Sequence, residues 1–72
     1  MTGLSKRSFS LAGHRTSVAL EAEFWEALVA IAAARSQALS ALVTSVDSER
    51  LDGQTLASAL RVLCLKHYPA LR

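Results

Sequence analysis

Residues 14–20 alternate between two kinds of side chain. The positions of one parity are apolar or β-branched: Thr16, Val18 and Leu20. The positions of the other parity are small, polar or basic: Arg15, Ser17 and Ala19. Because successive side chains of a β-strand point to opposite faces, this alternation predicts a short strand with one buried and one exposed face.

A lone short strand cannot satisfy its own backbone N–H and C=O groups, so it must pair with another strand. In a chain that otherwise reads as helical, the simplest partner is the same strand of a second copy. The pattern therefore predicts an antiparallel ribbon formed between two subunits. A ribbon of two strands is one of the few protein elements that fits the major groove of DNA.

The segment before this strand also alternates, with Phe9 and Leu11 apolar and Ser8 and Ser10 polar. Gly13 follows, and the apolar positions on its two sides have opposite parity, which suits a turn or a bulge. The pattern leaves open whether residues 7–12 pair as a strand or form an extended arm. We therefore divide the chain into a basic N-terminal arm, 1–13, and a domain, 14–72.

Three helices are predicted after the strand. The first begins near Glu21 or Ala22, because acidic residues and then apolar residues at helical spacing follow, and it ends near Arg35. The second carries an apolar stripe, and its N-cap candidates are Ser36, Gln37 and Ala38. The third spans about 53–68, with Asp52 as its expected N-cap and Pro69 after its end. The stripe of the second helix is formed by Leu39, Leu42, Val43 and Val46.

Composition favours an oligomer. Of 72 residues, 51% are hydrophobic, which is more than so small a monomer can easily bury. The third helix is apolar nearly all round, so we expect a second subunit to bury it. The simplest assembly is a two-fold homodimer. Its core is predicted to contain Thr16, Val18, Leu20, Phe24, Leu28, Leu42, Val43, Val46, Leu60 and Leu63.

Charge is distributed unevenly along the chain. The net charge is only +2, but residues 1–20 hold three basic side chains and no acidic one. A basic segment beside a polar strand face is an electrostatic footprint for a polyanion. The alternative interpretation is a solvated basic tail.

Candidate catalytic chemistry is sparse. Cys64 and His67 are three residues apart on an apolar helix, and no third group orients them, so we predict neither an enzyme nor a cofactor. Two histidines and one cysteine fall short of a structural zinc site, so no metal is expected. A single cysteine excludes an internal disulfide, and no apolar run is long enough for a membrane span or a secretory signal. We expect a cytoplasmic protein.

The order strand, helix, break, helix resembles that of the ribbon-helix-helix DNA-binding proteins of the Arc and MetJ type. The residues that carry the resemblance are KRSFSLAGHRTSVALEAEFWEAL (6–28) and LASALRVL (56–63). They look most like a bacterial subgroup with an added C-terminal helix. The resemblance implies a mainly α fold with one short β-strand, an intertwined homodimer and a third helix.

The resemblance also implies a site. It places Arg15, Ser17 and Ala19 toward the bases, and Ala38, Leu39 and Ser40 at a backbone phosphate. Because three such side chains read few bases, we also expect backbone contacts from Lys6, Arg7 and His14. For His14, a surface turn is the simpler interpretation. Many family members have a glycine between the two helices and a serine or threonine cap, whereas this chain has Ser36-Gln37-Ala38.

The function implied is a sequence-specific, DNA-binding transcriptional regulator. The alternative is an antitoxin-like or other protein-interaction module that uses the C-terminal helix. The operator sequence, any effector, and the direction of regulation cannot be read from the residues.

Overall fold

The computed structural model describes residues 3–71. A β-hairpin comes first and three α-helices follow. The elements in chain order are β1 (Leu4–Leu11), β2 (His14–Glu21), α1 (Ala22–Ala34), α2 (Leu39–Glu49), α3 (Leu56–His67) and a short 3-10 turn (Pro69–Leu71). The predicted order of strand and helices is confirmed, and α1 begins where its acidic first turn indicated.

The expectation of one short strand is wrong, because the N-terminal segment is itself a strand. β1 and β2 have eight residues each and pair antiparallel from Leu4 with Glu21 to Leu11 with His14. Ala12 and Gly13 connect them with φ angles of 50° and 82°. Two consecutive residues with positive φ form the tight turn that matches the twist of a hairpin. A turn of two residues also accounts for the change of parity across Gly13.

Within the chain, one edge of β2 is therefore paired with β1. The sheet has two strands, and within residues 3–71 the other edge of β2 has no strand beside it. The premise that β2 is the lone strand of the chain is wrong, whereas a ribbon between two subunits stays a prediction. A ribbon between subunits would have to use this second edge of β2.

The hydrophobic core lies between one face of the hairpin and the three helices. Both strands contribute buried side chains, namely Phe9, Leu11, Val18 and Leu20. The largest fully buried side chains come mostly from the helices: Leu20, Leu28, Leu42, Val43, Leu60 and Cys64. Because β1 adds its own apolar face, the chain covers more apolar surface than a single strand and three helices could.

The core-facing side chains of α3 do not need the second subunit that we expected to bury them, because α1, α2 and β2 of the same chain pack against α3. Leu60 and Cys64 are 0% exposed within one chain, and Leu56 and Ala59 are 8% exposed. Of the predicted dimer-core residues, Val18, Leu20, Leu28, Leu42, Val43 and Leu60 are buried in this core. Phe24, Val46 and Leu63 are half-buried against the core, and Thr16 is half-buried. That these residues also meet a second copy stays a prediction.

The break between α1 and α2 is formed without glycine. Ser36 has a φ of 54°, and its N–H donates to the carbonyl of Ala33 while the N–H of Gln37 donates to that of Ala32. This pair of hydrogen bonds is a Schellman motif, in which the residue with positive φ is usually glycine. Ser36 therefore ends α1 and does not cap α2, whose N-cap is Ala38.

α3 begins later than expected, and its cap is Thr55 rather than Asp52. The Thr55 Oγ1 accepts a hydrogen bond of 3.0 Å from the backbone N–H of Ser58. No single helix in residues 3–71 is long and apolar enough to cross a membrane. α1 and α2 reach that length and composition only together, and the chain bends by 98° between them.

Candidate nucleic-acid interface

The two faces of the hairpin differ sharply in polarity. Residues directly opposite each other in an antiparallel pair point to the same side of the sheet. The register pairs Ser10 with Arg15, Ser8 with Ser17 and Lys6 with Ala19. All of these side chains are exposed except Ala19, which is half-buried. We call these six residues the outward face. Leu4 and Glu21 form the next pair on the same side, at the open end of the hairpin, and the alternate positions on the other side include the buried Phe9, Leu11, Val18 and Leu20.

The outward face contains the three positions expected to read bases, Arg15, Ser17 and Ala19. It also contains two that sequence reasoning did not single out as contacts, Ser8 and Ser10. The hydroxyl oxygens of Ser8 and Ser17 lie 3.0 Å apart and share a hydrogen bond across the strands. The signal that could have found Ser8 and Ser10 was their alternation with Phe9 and Leu11, which becomes meaningful once β1 is taken as a strand.

The electrostatics of the outward face favour an anion. Lys6 and Arg15 are its two cationic side chains, and residues 4–20 contain no acidic one. The nearest carboxylate in the strand is that of Glu21, whose Oε1 lies 2.9 Å from the Arg61 guanidinium. A backbone hydrogen bond and this arginine hold the pKa of Glu21 below its usual value. The negative charge of Glu21 at the end of β2 is thus balanced by Arg61 of α3.

Arg7 lies on the other side of the sheet from Lys6. Its guanidinium carbon is 5.1 Å from the centre of the Trp25 ring, over the ring face. The indole N–H of Trp25 donates a hydrogen bond of 2.8 Å to the carbonyl of Ser5. The sequence grouped Lys6 and Arg7 as one basic arm, but the pleat of β1 separates them. Arg7 therefore stacks on α1 and is not part of the outward face.

His14 and the start of α2 complete the predicted set. His14 is exposed beside the hairpin turn, opposite Leu11, and has the parity of the inward face. Ala38 and Ser40 are exposed and Leu39 is half-buried. No side chain caps α2, so the N–H groups of its first turn are not occupied by a capping oxygen. Such a terminus has the partial positive charge that binds anions.

The other candidate chemical groups are Cys64, the histidines and the acidic side chains. Within residues 3–71 no three His, Cys, Asp or Glu side chains are grouped so that they could hold a metal ion. The Cys64 thiol donates a weak hydrogen bond to the carbonyl of Phe24, at 3.7 Å. Burial raises the pKa of this thiol to about 11, so at neutral pH it is protonated and a poor nucleophile.

Comparison with models of protein families matches a ribbon-helix-helix domain over residues 4–68. The chain therefore belongs to the ribbon-helix-helix family, and the resemblance noted in the sequence is confirmed. Members of this family are typically DNA-binding regulators of transcription that dimerise. Neither a search of curated proteins nor a search of solved structures gave a match.

Proposed function

We propose that this protein is a sequence-specific DNA-binding regulator of transcription that acts as a homodimer in the bacterial cytoplasm. The β2 strands of two copies pair along their free edges and enter the major groove. Arg15, Ser17 and Ala19 face the bases. The observation that carries the proposal is the outward face itself, which is polar, basic and exposed directly above a buried apolar face.

The chemistry of the face suits base recognition. A ribbon of two strands has its strands about 5 Å apart, against a groove about 12 Å wide. Arg15 can donate two hydrogen bonds to O6 and N7 of guanine, an interaction that discriminates by about 1–3 kcal/mol. Ser17 can donate or accept, and Ala19 can touch a thymine methyl or allow close approach.

Three such side chains read few bases, so affinity depends strongly on the phosphates. Lys6 lies on the same face as Arg15 and supplies one cation per chain. The uncapped start of α2, at Ala38–Ser40, supplies backbone N–H groups for a second phosphate contact. His14 and Arg7 are weaker candidates, because neither belongs to the outward face.

The test is selection of bound sequences from a random DNA pool, followed by binding measurements at several salt concentrations. We expect a defined preferred sequence and an affinity that falls steeply with salt, because phosphate contacts release counterions. Arg15→Ala should lower affinity for the selected sequence about tenfold or more and relax its sequence preference. Arg50→Ala is the matched control, since Arg50 pairs locally with Asp47 at 2.9 Å and lies at the end of α2.

The alternative function, a protein-interaction module, is favoured by a different surface. A cavity of about 300 Å³ lies between the end of α2 and α3, and among the residues lining it are Leu51, which is 73% exposed, and Val62, which is 37% exposed. A charged substitution such as Leu51→Glu should leave DNA binding intact if DNA is the partner of this chain. If Leu51→Glu abolished the regulatory effect of the protein in cells while Arg15→Ala did not, a protein-interaction module would be the better proposal.

A further inference from the structure

The outward face is wider than the ribbon that enters the groove. In the homodimer proposed above, β1 flanks each β2, so the order across the sheet is β1, β2, partner β2, partner β1. Neighbouring strands are about 4.8 Å apart, so the two β1 strands are about 14 Å apart. The major groove is about 12 Å wide. The central pair therefore fits between the groove walls, and the flanking strands do not.

We propose that the outward side chains of β1, which are Lys6, Ser8 and Ser10, contact the phosphates along the two walls of the groove while β2 reads the bases between them. This inference rests on the proposed function and adds that the two strands have different roles: β1 binds phosphates and β2 binds bases. It assigns a role to Ser8 and Ser10, which the sequence analysis had not placed among the DNA contacts.

The side chains of β1 suit phosphates rather than bases. A serine hydroxyl and a lysine ammonium both donate to phosphate oxygens, and both commonly bind phosphates in protein–DNA complexes. Ser10 is exposed and lies opposite Arg15, so each arginine that reaches a base is flanked by a hydroxyl nearer the wall. Ser8 shares its hydrogen bond with Ser17, so the hydroxyl of one strand orients that of the other.

The packing of α1 against the hairpin fixes where β1 lies. On the inward side of the sheet, the indole N–H of Trp25 donates a hydrogen bond to the carbonyl of Ser5. The centre of its ring is 6.0 Å from that of Phe9. Both residues of β1 alternate with the outward side chains. The strand therefore presents Lys6, Ser8 and Ser10 from a backbone that is anchored before any DNA is bound.

The experiment compares substitutions on the two strands, using the sequence selected by the unmodified protein and a shuffled duplex of the same composition. Ser10→Ala should weaken binding to both duplexes by about the same factor, roughly tenfold, without changing the selected sequence. Ser8→Ala should also weaken binding to both duplexes, but because Ser8 shares a hydrogen bond with Ser17, an unchanged selected sequence is expected of Ser10→Ala alone. Lys6→Ala should reduce the salt slope by about two per dimer, because each of the two chains then neutralises one phosphate fewer. Ser10→Thr keeps the hydroxyl and should restore most of the affinity. Ser58→Ala, an exposed serine on α3, is the matched control.

Three results would overturn the inference. If Ser8→Ala and Ser10→Ala bind as the unmodified protein does while Arg15→Ala loses affinity, β1 does not touch DNA and the proposed function stands. If Ser10→Ala changes the preferred sequence with the salt slope unchanged, β1 lies inside the groove. If the unmodified protein binds no DNA, the inference and the proposed function fail together. Thermal melting of each variant shows whether a loss of binding reflects a loss of folding.

Discussion

The anchoring of β1 to α1 can be tested by the substitution Trp25→Phe. Trp25 is 2% exposed and interacts with β1 through a hydrogen bond of 2.8 Å to the Ser5 carbonyl, the stacked Arg7 guanidinium and the ring of Phe9. Phenylalanine keeps an aromatic ring at this position. It removes the N–H donor and part of the ring.

The cost can be worked from these interactions. Removing the hydrogen bond costs about 1 kcal/mol, and the weaker stacking of Arg7 costs about 0.5 kcal/mol. The smaller buried ring costs about 1 kcal/mol more. The sum is about 2–3 kcal/mol in the free energy of unfolding. For a domain of this size the melting temperature should fall by about 10–20 °C.

The assay is thermal melting followed by circular dichroism, combined with hydrogen exchange of the backbone amides. Exchange should accelerate more in β1 than in α3, because all the interactions that the substitution removes or weakens involve β1. Val29→Ala is the matched control, since Val29 lies on the same helix but is 46% exposed, and its melting temperature should change little. If Trp25→Phe melts within about 2 °C of the unmodified protein, or if exchange in β1 is unchanged, Trp25 does not anchor the hairpin.

Two further substitutions test local features of the fold. Ser36→Gly should raise the free energy of unfolding by about 1 kcal/mol in urea denaturation, because Ser36 has positive φ at the end of α1; a loss of stability would contradict the Schellman assignment. The pKa of Cys64 is about 11 in the folded protein and about 8.5 in an unfolded chain, so its contribution to stability is complete below pH 8.5 and is lost as the pH rises through 11. The difference in unfolding free energy between the unmodified protein and Cys64→Ala should therefore shrink by about 1.4 kcal/mol per pH unit between pH 9 and pH 11, and a constant difference would contradict the burial of the thiol.

The helices and the exposed side of β2 could be predicted from the sequence because each has a strong local period. Arg15, Ser17 and Ala19 do occupy one face of a strand, as their alternation with Val18 and Leu20 predicted. This prediction requires only that successive side chains of a β-strand point to opposite faces.

The pairing of β2 could not be predicted, because it depends on a turn with an unusual residue. Gly13 marks a turn, but Ala12 with φ of 50° is not a residue type that favours positive φ. Without that turn β1 remains an arm, and two consequences are missed. Arg7 cannot be assigned to the face opposite Lys6, and Phe9 and Leu11 of β1 cannot be assigned to the core.

The cap of α2 shows the same limit on a smaller scale. Ser36 is a good N-cap residue by type, and the sequence does not show that its backbone instead closes α1. The backbone N–H groups of Ser36 and Gln37 donate to the last turn of α1, so these two residues belong to the end of that helix. Ala38 is therefore the N-cap of α2. Local backbone geometry at the end of α1 thus outweighs the side-chain preference of Ser36.

The central claim is that the outward face of β2 meets the base pairs. It is tested most directly by photo-crosslinking from position 17, using Ser17→Cys labelled with a benzophenone and bound to the selected DNA. The native Cys64 is 0% exposed and does not compete for the label. We expect crosslinks to bases within the selected sequence from position 17 and none from Ser58→Cys labelled in the same way. Equal crosslinking from both positions, or none from position 17 on DNA that is demonstrably bound, would contradict it.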